Sequence, residues 1–183
     1  MNHYIDIKVL PDPEFEATVL MNALYAKCHR VLGKVANGEV GVSFPQYKKT
    51  LGAVLRLHGS KGKLEKLMEE RWLKGLTDYT QVSDILNVPD KAQYRVVTRI
   101  QTKSPENKRK RSIRKGWLTQ QEAEEKIKDN DQYKLNFPFA HLTSLSNKNK
   151  YRLFIQHGEL MTAAVAGTFC SYGLSKTATI PWF

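Results

Sequence analysis

Five histidines, His3, His29, His58, His141 and His157, are the side chains of this 183-residue chain that exchange protons most readily near neutral pH. No two are spaced as HxxxH. The two cysteines, Cys28 and Cys170, are far apart and form no CxxC, so no metal site is read from the spacing. Cleavage of RNA without a metal asks less of a protein. The nucleophile is the substrate's own 2′-hydroxyl, and protein groups need only position it, take its proton and stabilise the phosphate. His29 is the best candidate base. Leu20, Leu24, Cys28, Val31 and Val35 form an apolar stripe on the first expected helix, and at about 100° per residue His29 projects roughly 135° from the centre of that stripe. It is expected to face outward, as a plain surface histidine also would. Cys28 is its neighbour in sequence, but adjacent helical positions diverge, so a Cys nucleophile is not expected. Toward the C-terminus, Ser144 and Ser146 in HLTSLSNKNKYRLF and Tyr172 in FCSYGLSK add hydroxyls, which ordinary loop polarity also accounts for.

Charge is the second chemical feature. The chain carries 29 basic and 18 acidic residues, a formal charge of +11. Between positions 91 and 116 there are ten Lys or Arg and one acid, Glu106, so nearly all of the excess sits in one stretch. Such concentration points to a polyanion docked at one place. Within residues 94–103, Arg95, Val97, Arg99, Gln101 and Lys103 share one face of an alternating strand, and Tyr94, Val96, Thr98, Ile100 and Thr102 are expected to be the packing face. Arg grips guanine and Gln grips adenine through two hydrogen bonds each, so Arg99 and Gln101 fit neighbouring bases. Plain exposed strand polarity fits them too. NKRKRSIRKGW comes next, a helix expected over 105–116 with Ser104 as cap. Lys108, Arg111 and Lys115 lie on one side, Lys110 and Arg114 beside it, and phosphates would relieve their mutual repulsion. A targeting signal or a disordered arm would explain the charge but not its place between a strand and a capped helix. Duplex RNA and duplex DNA both suit the helix. Tyr25, Tyr151 and Tyr172 are candidates for stacking on bases.

The elements that must hold these residues read as α+β. Ile5, Ile7 and Val9 alternate as a half-buried strand, and Pro11-Asp12-Pro13 then offers a helix start that would run to about Leu32. VGVSF and AVLRLHG read as strands, residues 63–76 as a helix with Leu64, Leu67, Met68 and Trp72 on one side, and 94–103 as a further strand. The order is β-α-β-β-α-β, the ferredoxin-like pattern. A capping box, Thr119-Gln-Gln-Glu122, opens a helix after the basic one. The expected division is a ferredoxin-like domain, 1–93, and a small C-terminal RNA-binding domain, 94–183, with short strands. With 41% hydrophobic and 26% charged residues, no long apolar run and no signal core near Met1, a folded cytoplasmic protein with reduced thiols is expected.

HYIDIKVLPDPEF, the helix holding CHRVL, GVSFP, YRVVTRIQTKS, the basic helix, TSLSNKNKYRLFIQHG, YGLSK and the closing PWF together carry a resemblance. The chain resembles, end to end, the CRISPR repeat-RNA endoribonucleases of type I-F systems, the Csy-type crRNA-processing enzymes, among the ferredoxin-like CRISPR RNA nucleases. The resemblance implies that His29 is the general base, that Ser144 holds the attacking ribose and that Tyr172 orients the histidine. It implies that Arg99 and Gln101 read pairs at the bottom of a repeat hairpin. Tyr151, where the family has Phe, would stack under the terminal pair. The helix with Lys108, Arg109, Lys110, Arg111, Arg114 and Lys115 would lie in the groove, with Lys103 and Ser146 completing the RNA contacts. Cutting would fall at the 3′ base of the stem, without metal or cofactor, and leave a 2′,3′-cyclic phosphate. The product would stay bound and join the interference complex. Lys at 108, 110 and 115 replaces Arg of the family, and Lys lacks the two-pronged phosphate contact. A catalytically silent stem-loop-binding subunit is the alternative, sharing every binding residue and parting only at His29, Ser144 and Tyr172.

Overall fold

A computed structural model of the chain describes residues 1–10, 12–101, 105–128, 135–144 and 148–183. They form two compact units, residues 1–99 with 137–183, and residues 100–136. This division differs from a break between 93 and 94, because the C-terminal strands belong to the unit built by the N-terminal ones. The class is α+β, with two antiparallel sheets and four α-helices among the described residues.

The first sheet runs β2 (Gly41–Ser43), β3 (Val54–Gly59), β1 (His3–Val9), β4 (Thr80–Val82), and the short β5 (Leu86–Asn87) also pairs with β1. β1 meets β3 antiparallel with Ile5 opposite Leu57 and Ile7 opposite Leu55. Ile5, Ile7 and Val9 are buried as their alternation requires. α1 (Ala17–Val31) lays Leu20, Leu24, Cys28 and Val31 into the core, and α2 (Lys61–Glu69) adds Leu64 and Leu67. α1 starts later than the Asp12–Pro13 signal suggests. The Asp12 carboxylate accepts the N–H groups of Glu14 and Phe15 at 2.9 and 2.8 Å, a local turn that competes with helix. α2 also stops short of Leu76, and Trp72 is buried from the turns beyond it.

The second sheet runs β7 (Phe139–Thr143), β8 (Lys150–His157), β6 (Gln93–Ile100), β9 (Thr179–Trp182). Its make-up corrects the order expected from sequence. The long strand over 94–103 does not close the first sheet, a place taken by the three-residue β4, which pairs Ile7 with Val82 and Val9 with Thr80. β6 instead pairs with the C-terminal β9, Tyr94 opposite Pro181 and Val96 opposite Thr179. Its faces differ as well. Val97, on the side expected to be cationic, is buried, while Tyr94, Val96, Thr98 and Ile100 are only half-buried. Arg95, on the same side as Val97, is packed rather than free. Its Nε donates to the Gly158 carbonyl at 2.9 Å and its guanidinium lies 4.4 Å from the Trp182 ring centre. Long cationic stems can pack on aromatic faces, so alternation of charge along a strand does not by itself mark the wet side.

The unit of residues 100–136 holds α3 (Pro105–Arg114) and α4 (Gln120–Lys126). Thr119 caps α4 through the expected box. Its Oγ1 accepts the Glu122 N–H at 3.3 Å, and the Glu122 carboxylate accepts the Thr119 N–H at 2.8 Å. No helix among the described residues is long and apolar enough to cross a membrane.

Candidate catalytic and RNA-binding sites

The centre of the first unit forms where the last turn of α1 meets the turn before Leu174. Gly173 has φ +69°, a conformation that favours glycine, and a Cβ there would sit 2.2 Å from Val42 Cγ2. Gly173 N–H donates to the Cys170 carbonyl at 2.8 Å, and Val42 N–H donates to the Gly173 carbonyl at 2.8 Å. That tight turn presents Ser171 and Tyr172 to His29. The His29 Nδ1 lies 3.0 Å from the Ser171 carbonyl oxygen. A carbonyl only accepts, so Nδ1 carries the hydrogen and Nε2 keeps the lone pair that a general base needs. The Tyr172 ring stacks on the imidazole with centroids 4.0 Å apart and planes 9° apart, fixing the ring's plane.

Tyr172 is itself held at both ends. Tyr25 donates its hydroxyl to the Tyr172 carbonyl at 2.9 Å, and the Tyr172 and Tyr151 hydroxyls are hydrogen-bonded at 2.8 Å. Burial and the bond to Tyr151 push the Tyr172 phenol up to about 12, so it is neutral at physiological pH. Tyr25 is wholly buried, which corrects its candidacy as a base-stacking ring; burial likewise raises its phenol well above the ordinary range. Cys28 is also wholly buried, its thiol pushed upward by burial, consistent with its exclusion as a nucleophile.

Arg99, near the end of β6, places its guanidinium 5.5 Å from the Tyr172 ring centre and 5.9 Å from that of Tyr151. Its Nε is buried with no hydrogen-bond partner among the described residues. Among the described residues no carboxylate pairs with this cation set against two rings, and a buried donor without a partner costs about 1–3 kcal/mol. Ser144 stands where β7 turns toward β8, with its N–H donating to the Asn149 carbonyl at 2.9 Å. In the same hairpin Leu142 is opposite Tyr151. Gln101 is exposed just after β6. Lys103 and Ser146 lie outside the described residues.

In the second unit the basic residues of α3 divide by role. Arg109 Nη1 donates to the Ile127 carbonyl at 2.7 Å, tying α3 to the end of α4, and Lys108 is half-buried. Lys110 pairs with Glu106 at 2.6 Å, both exposed. Arg111, Arg114 and Lys115 are exposed, and Arg114 and Lys115 have no side-chain partner among the described residues.

Residues 4–183 match the family described as CRISPR-associated protein (Cas_Csy4). The chain belongs to the Cas_Csy4 family. It is 50% identical to the CRISPR-associated endonuclease Cas6/Csy4 of Escherichia coli (strain UTI89 / UPEC) and 42% identical to the protein of that name from Pseudomonas aeruginosa (strain UCBPP-PA14). Each match covers all of both chains. In this Cas_Csy4 chain the residue that spacing did not reveal is Ser171. Its contact with His29 is through the backbone carbonyl, which no side-chain pattern signals. Tyr25, expected to stack on bases, instead holds the Tyr172 carbonyl, and its place between Leu24 and Cys28 of the apolar stripe was the available signal for its burial.

Proposed function

We propose that the chain is a metal-independent endoribonuclease that cleaves CRISPR repeat hairpins at the 3′ base of the stem. The observation that carries the reading is the His29 imidazole, oriented through Nδ1 by the Ser171 carbonyl and through its face by Tyr172, with Nε2 left to take a proton. His29 removes the proton of the 2′-hydroxyl, Ser144 holds that ribose, and the new bond to phosphorus expels the 5′ oxygen of the next nucleotide, which takes up a proton from His29 or from water. The products are a 2′,3′-cyclic phosphate and a 5′-hydroxyl. Arg99 and Gln101 read the base pairs at the bottom of the stem, and the unpaired donor of Arg99 supports that role. Lys103, Lys108, Arg109, Lys110, Arg111, Arg114, Lys115 and Ser146 contact the RNA, chiefly its phosphates, and Tyr151 stacks under the terminal pair. The names of the two relatives support endonuclease activity.

The strand order β2-β3-β1-β4, with α1 and α2 each crossing between parallel strands, supports a ferredoxin-like reading of the first sheet. Functionally, residues 1–93 supply the base and 94–183 supply the RNA contacts. The protein works in the cytoplasm and keeps its product as a subunit of the type I-F interference complex. The test is cleavage of the host's repeat RNA in excess EDTA with analysis of the product's 3′ end. One cut at the stem base bearing a cyclic phosphate is expected. Tight binding without a cut would favour the silent stem-loop-binding subunit.

A further inference from the structure

Trp117, at the end of NKRKRSIRKGW, is 65% exposed, unusual for a residue type that is mostly buried. Its backbone is held firmly. Trp117 N–H donates to the Ser112 carbonyl at 3.0 Å, Gly116 N–H donates to the Ile113 carbonyl at 2.9 Å, and Gly116 has φ +68°. These are the two hydrogen bonds and the left-handed glycine of a Schellman cap closing α3. In that motif the residue in the position of Trp117 commonly packs on the one in the position of Ser112 or of Arg111. Serine offers the indole no apolar surface, and the ring is presented to solvent. The Arg111 guanidinium lies 5.7 Å from its ring centre.

We propose that Trp117, fixed by this cap beside Arg111, Arg114 and Lys115, is a stacking platform for an unpaired nucleobase of the bound RNA. The platform rests on the proposed role of α3 in gripping that RNA. The surroundings decide the class of ligand. A protein surface covering the indole would also have to desolvate Arg111 at its ring, with the exposed Arg114 and Lys115 close by in the chain, and would need carboxylates to offset that cost. RNA neutralises these cations with phosphates and offers a flat base to the open face of the ring. Stacking takes any base, so the platform holds single-stranded nucleotides next to the stem without reading them.

The experiment uses the full chain and two versions of the host's repeat RNA, both with 2′-deoxyribose at the nucleotide before the cut. One is natural in its bases, and in the other every nucleotide outside the stem is abasic. Trp117→Ala is expected to bind the natural RNA about tenfold more weakly than the wild type, and the abasic RNA equally well. Trp117→Phe, which keeps a ring, is expected to retain most of the affinity. The side chain is exposed, so both variants fold, which thermal melting verifies. Wild-type affinity of Trp117→Ala for the natural RNA, or the same loss on both RNAs, would overturn the platform. Arg111→Ala combined with Arg114→Ala on the abasic RNA reports on α3 separately: weakened binding there upholds the grip, and unchanged binding overturns both readings.

Discussion

The His29 imidazole and the Tyr172 phenol lie face to face, 4.0 Å between centroids and 9° between planes. The two residues come from opposite ends of the chain, and a single glycine turn brings them together. Stacking fixes the plane of the imidazole and the Ser171 carbonyl fixes its rotation within that plane, so one nitrogen alone is offered to a substrate. His29→Ala should therefore lower the cleavage rate at saturating RNA by a factor of about 10²–10⁴, the usual worth of a general base, while leaving Kd for the hairpin unchanged. Single-turnover cleavage and filter binding measure the two quantities. A variant that cuts at the wild-type rate would remove His29 from the mechanism.

Tyr151→Phe keeps the ring beneath Arg99 and removes only the hydroxyl that Tyr172 meets at 2.8 Å. Burial, then that bond, raises the Tyr172 pKa to about 12, so losing the bond should lower the titration only part of the way, with the share due to burial kept. Ultraviolet titration of tyrosinate reads the change. Cleavage should slow by about two- to tenfold, the worth of one hydrogen bond, with RNA affinity held. Tyr172→Ala should slow it further, because the stack on His29 is lost as well.

Arg111→Ala with Arg114→Ala removes two exposed cations of α3. Binding to the repeat hairpin should weaken, and the slope of log K against log salt should become shallower by about 1–2. The measurement is Kd at several salt concentrations. An unchanged slope would take α3 out of the interface.

Acid should destabilise the fold through two histidines outside the proposed catalytic centre. His58 is buried against the Ser43 hydroxyl at 2.8 Å, and burial, then Arg56, holds it down to about 3. His157 stacks on Tyr47 at 3.7 Å, and burial, then Arg95, lowers it to about 3. Unfolded, both titrate near 6.5. As pH falls below 6.5 the unfolded chain takes up protons that the folded one refuses. Stability present above 6.5 is thus lost progressively toward pH 3. Melting temperature across that range should decline, and His157→Phe, which fills the same aromatic pocket without a proton site, should decline less steeply.

Arg99 and Arg95 mark both the reach of local pattern and its end. Both were legible as cations on one face of a strand, two positions either side of Val97. Nothing local tells that Val97 is in the core, that Trp182 covers Arg95, or that Tyr151 and Tyr172 support Arg99. Those partners arrive from β8, β9 and the turn before Leu174. The same non-local pairing puts the strand over 93–100 in the second sheet and leaves the fourth place in the first sheet to Thr80–Val82, three residues too short and too exposed to announce themselves.

By itself the sequence determined the features that depend on near neighbours in the chain. The 3.6-residue stripe of α1 set His29 off the core, alternation set Ile5, Ile7 and Val9 into it, Thr119 and Glu122 capped α4, and six cations within eight positions marked α3. Tertiary structure decided what those residues meet. The Ser171 carbonyl that selects the tautomer of His29, the burial of Tyr25, and the bond between Tyr151 and Tyr172 all join segments distant in the chain. Periodicity reports which way a side chain points. Only the packed chain determines which backbone atom or ring waits there.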